Sequence, residues 1–369
     1  MTKLTVFLLA SCFAFWGARA WSELVPDEMG ATTAGKPEPH WFMVLGSTGA
    51  YVFDGDNGAM QGSINKPAYA PAITVDIDRE MFYVPGSYYS RGIYGERTDV
   101  VVFNAMDTLA PVAEVRIPAK MAAIGHRGMS NLVGEQFLVI FNLTPAMSVS
   151  VVDVEAREFV VEISTAGCGM VFPVPERRFL QLCGEGTLQV IGLDGRGNEA
   201  SRVRSEKFFD IDEDPVFDYA VPTTDGWLLV SFEGNIYEVT FTDGIQISEP
   251  WSLLTEDDIE ERWRIGGNQP FSYNAATGTL LTLMHQGGVD THEEEGTEIW
   301  GFNLNTQRRG YRTVLEAPAS AINVSRDADP RLFVVSSTPN TVLVYNALTG
   351  RLLNTVEEAG IFAGAVQRF

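Results

Sequence analysis

Two short stretches bring together side chains able to bind a cation or move a proton. In His285-Gln-Gly-Gly-Val-Asp-Thr-His-Glu-Glu-Glu295, two imidazoles and several carboxylates share eleven residues. A metal ion needs such donors, but carried on rigid elements at fixed spacing. Here they fall in a glycine-containing stretch between two apolar runs, and the plainer reading is a solvated acidic hairpin loop. Asp210-Ile-Asp-Glu-Asp214 offers alternate carboxylates to a calcium ion, without the glycine or the distant glutamate of a helical calcium loop. A charged loop between blades is the plainer reading. Asp54-Gly-Asp-Asn-Gly58 is acidic enough to bind, but its position between strands makes it a turn first, and Gly192-Leu-Asp-Gly-Arg-Gly197 is also a turn, since no helix follows to make it a phosphate cradle.

Catalytic signatures are otherwise scarce. The sequence holds no phosphate loop, no nucleophile elbow, no C-x-x-C and no H-E-x-x-H. Its histidines number four: His40, His126, His285 and His292. No catalytic, cofactor-binding or metal-binding residue is therefore assigned. Two arginines are better placed. Arg91 and Arg97 flank a glycine-containing loop ahead of the strand Val100-Val-Val-Phe103, so both should lie near one rim of the fold. They can clamp a partner's carboxylate or hold the loop through Asp99, and the internal role is the simpler.

Residues 1–20 stand apart. Lys3 precedes an apolar run from Leu4 to Trp16, and Ala18-Arg-Ala20 has the form of a signal peptidase site, with cleavage between Ala20 and Trp21. The rival is a lipoprotein box, Leu9-Ala-Ser-Cys12, which would acylate Cys12. Export leaves Cys168 and Cys183 in a compartment where disulfides persist. Each adjoins an apolar strand, so a hairpin can staple them, the alternative being two free thiols. Cleavage also removes Lys3 and Arg19 but no acid, taking the formal charge from −22 to −24. Nucleic acid and anionic membranes are poor partners for such a body.

The elements that must carry these residues are strands. Seven times an extended apolar run ends in a short turn, opened by Asp54, Asn104, Asp153, Gly192, Thr240, Asn303 and Asn346. Steps near 45 residues suit a four-stranded propeller blade, which predicts an all-β, seven-bladed β-propeller over residues 40–369. Tyr237, Val239 and Phe241 alternate with polar neighbours as a half-buried strand does, while Leu332-Phe-Val-Val335 reads as buried on both faces. Thr255 with Asp258 caps a predicted short helix within Leu254–Arg264. The last nine residues, Ile361–Phe369, supply one more strand, able to close the ring against the N-terminal one and remove an open edge.

At Tyr89-Ser-Arg-Gly-Ile-Tyr-Gly-Glu-Arg-Thr-Asp99, where Tyr89, Ser90, Arg91, Gly95, Arg97, Thr98 and Asp99 carry the pattern, the chain resembles the heavy subunit of the quinoprotein amine dehydrogenases, the methylamine and aromatic amine dehydrogenase family. Leu254-Thr-Glu with Trp263-Arg-Ile-Gly-Gly267, the pair Cys168 and Cys183, and Ile322-Asn-Val-Ser-Arg-Asp327 resemble it in order and spacing. The resemblance implies a periplasmic seven-bladed propeller, joined with a small disulfide-rich light subunit as two heavy and two light chains. It places tryptophan tryptophylquinone on the light subunit and no cofactor on this chain. Primary amines would be oxidised to aldehyde and ammonia, with electrons passing to a copper protein or cytochrome. The heavy chain would scaffold the light one, wall the substrate channel and show no activity alone. By the same resemblance Cys168 and Cys183 form the heavy-chain disulfide, and residues 21–39 form an arm that can lie on the partner. The competing expectations are a stand-alone periplasmic propeller that binds or matures another protein, and a metal-dependent hydrolase using His285 or His292.

Overall fold

The computed structural model describes residues 33–369 apart from 48, 68, 69, 71, 120–126, 361 and 362. The expected export signal with its predicted cleavage site at Ala20 and Trp21, the rival lipoprotein reading at Cys12, residues 21–32 of the expected arm, and His126 lie outside the described residues. Residues 33–39 of the arm run over their own chain, where Ala34 N–H donates to Asp107 O at 2.6 Å and Lys36 pairs with Glu80.

The chain folds as an all-β propeller of antiparallel meanders. Its first sheet orders Ala365–Arg368, Trp41–Leu45, Gly49–Asp54 and Met60–Asn65. The second runs from Thr74–Asp76 to Pro111–Ile117, the third from Ser130–Val133 to Glu158–Ser164, and the fourth from Cys168–Val174 to Glu199–Arg204. A fifth, from Val221–Pro222 to Gln246–Ile247, carries the extra short strand Trp251–Ser252. The remaining strands, Trp263–Ile265 to Leu352–Val356, join in one eight-stranded sheet.

That last sheet corrects the expected count of seven blades: five sheets stand as separate blades among the described residues, and the other strands are continuous. The cause is one 17-residue strand, Arg308–Val324. Its early residues pair with Gly296–Asn303 and its late ones with Arg331–Ser336, Val324 facing Leu332. Between Arg312 and Ser320 the sequence offers no Asn-Gly or Asp-Gly turn, so although the ladder shifts register there, with Glu298 facing Val314 and Gly296 facing Ala319, the strand runs on without reversing. Where turn chemistry is present, the chain does turn. All seven predicted turn-openers lie on the last or penultimate residue of a strand.

Burial follows the expected periodicities. Tyr237, Val239 and Phe241 are buried and Glu238 and Thr240 half-buried, whereas Leu332–Val335 are all buried. Aromatic rings join neighbouring sheets, Phe42 stacking on Phe333 with centroids 4.4 Å apart. Fully burying such a ring contributes about 1.5–3 kcal/mol. The C-terminal strand closes the ring, Val366 facing Val44. Side-chain amides hold it from the other side. Gln269 Nε2 donates to Val366 O at 2.8 Å, its Oε1 accepts from Val366 N–H at 3.2 Å, and Asn323 donates to the same carbonyl at 3.0 Å.

The helix Glu256–Glu260 links the fifth and sixth sheets with the full capping box of Thr255 and Asp258. Arg309 donates to both oxygens of Asp258, at 3.0 and 2.8 Å, fixing the helix to the sixth sheet.

Candidate functional site

Successive connections in an antiparallel meander alternate between its two ends, so the loops joining second to third strands gather at the same end as the links between sheets. There they enclose a cavity of about 930 Å³. One wall comes from Gly46, Ser47 and Lys66 of the first sheet and its exit. The opposite wall comes from Phe209 and Phe217 on the link between the fourth and fifth sheets, with Phe232 and His292 from two hairpin loops.

The far wall is aromatic. His292 stacks on Phe232 with centroids 3.9 Å apart and an interplanar angle of 22°, and Phe217 meets both rings more steeply. Asp218 and Glu293 add carboxylates beside them. His285 is not part of this lining and does not sit in the solvated hairpin loop expected from the sequence, a correction to that reading. It lies on the strand Thr279–Gln286, 3% exposed. Thr291 Oγ1 donates to Gly288 O and so accepts from His285 Nε2–H at 2.9 Å. Burial pushes the His285 pKa below its ordinary value, against the pull of Glu294, so the ring is neutral. No group of three or more His, Cys, Asp or Glu among the described residues is placed to hold a metal ion. The loop backbone is instead fitted to Trp263-Arg-Ile-Gly-Gly267. A Cβ on Gly266 would fall 2.5 Å from His285 Nδ1, and Gly267 adopts φ +112°.

The calcium reading fails for a geometric reason. Asp210 pairs with Lys207 at 2.7 Å and accepts from Asp212 N–H, while Asp214 turns to Glu233 N–H and the Asn235 amide, so the carboxylates diverge. Asp194 accepts from the N–H groups of Arg196 and Asn198, making Gly192–Gly197 a side-chain-stabilised turn.

The Tyr89–Asp99 motif is a hairpin at the cavity end, with Tyr89 facing Arg97 across the ladder. Its residue choices have local causes. Ser90 Oγ accepts from Glu96 N–H at 3.0 Å, and Gly95, at φ +103°, leaves room for that hydroxyl. Arg97 grips Asp99 bidentately at 2.8 and 2.7 Å and also donates to Ser87. Thr98 is half-buried beside this fork. Arg97 therefore has the internal role. Arg91 does not share it: its guanidinium lies over the Tyr94 ring, 5.2 Å from the centroid, at an exposed tip where Ile93 is 76% and Tyr94 61% exposed.

Cys168 and Cys183 face each other across the first hairpin of the fourth sheet and are joined by a disulfide, S–S 2.09 Å, with Cys183 on the cavity wall.

A second polar cluster, which no local motif signals, joins the first and sixth sheets. His40 Nδ1 meets Asp56 Oδ2 at 2.6 Å and its Nε2 meets Asp327 Oδ2 at 3.1 Å. Arg331 reaches Asp56 at 3.0 Å and Asp329 at 3.0 Å. Burial opposes the charge on His40, but the two carboxylate hydrogen bonds outweigh it and hold its pKa above the ordinary value. Both ring nitrogens facing carboxylates fits the imidazolium, since only that form donates twice.

The family model described as "Methylamine dehydrogenase heavy chain (MADH)" matches residues 36–366. A methylamine dehydrogenase heavy chain of Methylobacillus flagellatus is 28% identical over 319 residues, 85% of this chain and 79% of the relative. The heavy chain of Paracoccus versutus is also 28% identical, covering 85% and 74%. Among solved structures, a periplasmic gluconolactonase of Pseudomonas aeruginosa superposes with a TM-score of 0.60 at 14% identity, covering 88% of this chain and 97% of that one. A β-propeller domain, Cps50 (Swd1) of Myceliophteria thermophila, gives 0.54 at 8% identity over 87% and 94%. These structural likenesses speak to the propeller fold alone.

Proposed function

The chain belongs to the methylamine dehydrogenase heavy chain family, and we propose on that premise that it is the heavy subunit of a periplasmic amine dehydrogenase that oxidises primary amines to aldehyde and ammonia. The observation that supports this most is the family match over nearly all of the described chain, in a fold that gathers its cavity, its disulfide and its exposed hairpin tip at one end. The light subunit seats on that end. Its tryptophan tryptophylquinone, when bound there, supplies the carbonyl and the two-electron sink that amine oxidation requires.

This chain's own part is to shape the approach. The Phe232 and His292 stack, with Phe217 and Phe209, gives the cavity an aromatic wall, against which the apolar part of an organic amine can pack. Asp218 and Glu293 on the same wall attract an ammonium cation before it is deprotonated. Trp263 and Trp300 lie 5.2 Å apart, but Arg312 packs over both rings and neither lines the cavity, a setting for packing and not for a cofactor of their own. Electrons leave from the light subunit to a copper protein or cytochrome.

The reading is tested by purifying the tagged chain from the periplasm of amine-grown cells and staining the gel for redox-cycling quinone. A small quinone-positive band is expected beside the heavy chain. A single unstained band would instead favour a free-standing propeller that binds some other protein.

A further inference from the structure

The described residues include three lysines, and they are not alike. Lys36 Nζ lies 2.5 Å from Glu80 and Lys207 Nζ 2.7 Å from Asp210, and those hydrogen bonds raise both pKa values and hold both side chains as ammonium. Lys66 lies on the cavity wall, partly buried, where its Nζ donates to the Ser47 carbonyl at 3.3 Å. Among the described residues it makes no ion pair with a carboxylate. Burial lowers its pKa. Gly46, Ser47 and Ala70 line the cavity beside it.

We infer that Lys66 is a reactive amine on the cavity wall that takes aldehydes as reversible covalent ligands. An amine attacks a carbonyl only through its unprotonated form, and a desolvated lysine holds more of that form at neutral pH than an ion-paired one. The Nζ lone pair adds to the aldehyde carbon to give a carbinolamine. Its hydroxyl then leaves as water, the nitrogen having given up its protons, and a C=N bond remains. Water reverses the sequence, and no electrons are gained or lost. The source of the aldehyde rests on the proposed function, in which it is the product released at this cavity. Capture at Lys66 would then hold product at the mouth as it accumulates.

The test needs no partner. The full mature chain is incubated with benzaldehyde and cyanoborohydride, which reduces any imine to a stable secondary amine, and peptide masses report the rate at each lysine between pH 6.5 and 9. Lys66 is expected to react several-fold faster than Lys36 and Lys207 at pH 7, with the excess shrinking as pH rises and the paired amines deprotonate. In Lys66→Arg that adduct should vanish while labelling at Lys36 and Lys207 stays unchanged. Equal labelling of all three, or slowest labelling at Lys66, overturns the inference. Because the chain is labelled without a light subunit, this result is independent of the co-purification outcome.

Discussion

The seam between the first and sixth sheets and the cavity end use polar groups in opposite ways. At the seam, His40 and Arg331 pair with Asp56, Asp327 and Asp329, and Gln269 binds the C-terminal strand through both its amide atoms. At the cavity end, Ile93, Tyr94 and Ile211 are exposed, and Lys66, Asp218 and Glu293 face an open volume. Groups that satisfy one another hold a ring shut. Groups lining a cavity border a space that a further molecule can enter, and the contrast sets the closing seam of this propeller apart from its cavity end.

The sharpest way to break the contrast is to open the seam. Deleting residues 365–369 removes the strand paired with Trp41–Leu45 and strands the amides of Gln269 and Asn323 in a dry setting. We expect a loss on the order of 5 kcal/mol or more, seen as the absence of a cooperative thermal transition. A truncated chain that melts normally would show that the closure is dispensable. Replacing both cysteines by serine tests whether the cavity end carries any scaffold load. With a separation of 15 residues, the missing cross-link should cost about 3 kcal/mol in denaturant unfolding.

The His40 cluster makes a smaller, pH-coded prediction. His40 has a raised pKa, so its contribution is complete below the unfolded value near 6.5 and fades as pH rises through the folded one. Asp56 and Asp327 have lowered values, the first through burial opposed and outweighed by hydrogen bonds to His40 and Arg331, the second likewise through Ser325 and His40. Their contribution is present above the usual carboxylate range and lost as pH falls through the depressed values. The stability gap between wild type and His40→Gln should therefore be about 1 kcal/mol near pH 5.5 and shrink toward pH 8.5. A gap that grows with pH would contradict the imidazolium assignment. Least of all should stability feel Tyr94→Ala, an exposed tip residue expected to change it by under about 0.5 kcal/mol while weakening association with the partner.

How much of this was legible depended on distance along the chain. Turn-openers such as Asp54 and Asn346, the Thr255 and Asp258 box, and the Arg97 and Asp99 fork act within a few residues, so their chemistry shows in the local sequence. His40 finds Asp327 across 287 residues and Asp56 finds Arg331 across 275, and no periodicity marks such a meeting. The merged sixth sheet escaped for a different reason. Arg308–Val324 lacks a turn, and a missing turn between two repeats looks the same in sequence as a long connection. Phe217 and Phe232 were likewise indistinguishable from core, because an aromatic facing a cavity and one facing a neighbour have the same composition.

The most direct test of the account is a hydrogen-exchange footprint of the chain with and without the light subunit that the proposed function expects to co-purify. Protection is predicted at residues 88–96, 209–219, 231–234 and 287–295, with the turns at 54–58 and 325–330 unchanged. Protection at those turns with none at the cavity end would contradict the assignment of that end as the working surface.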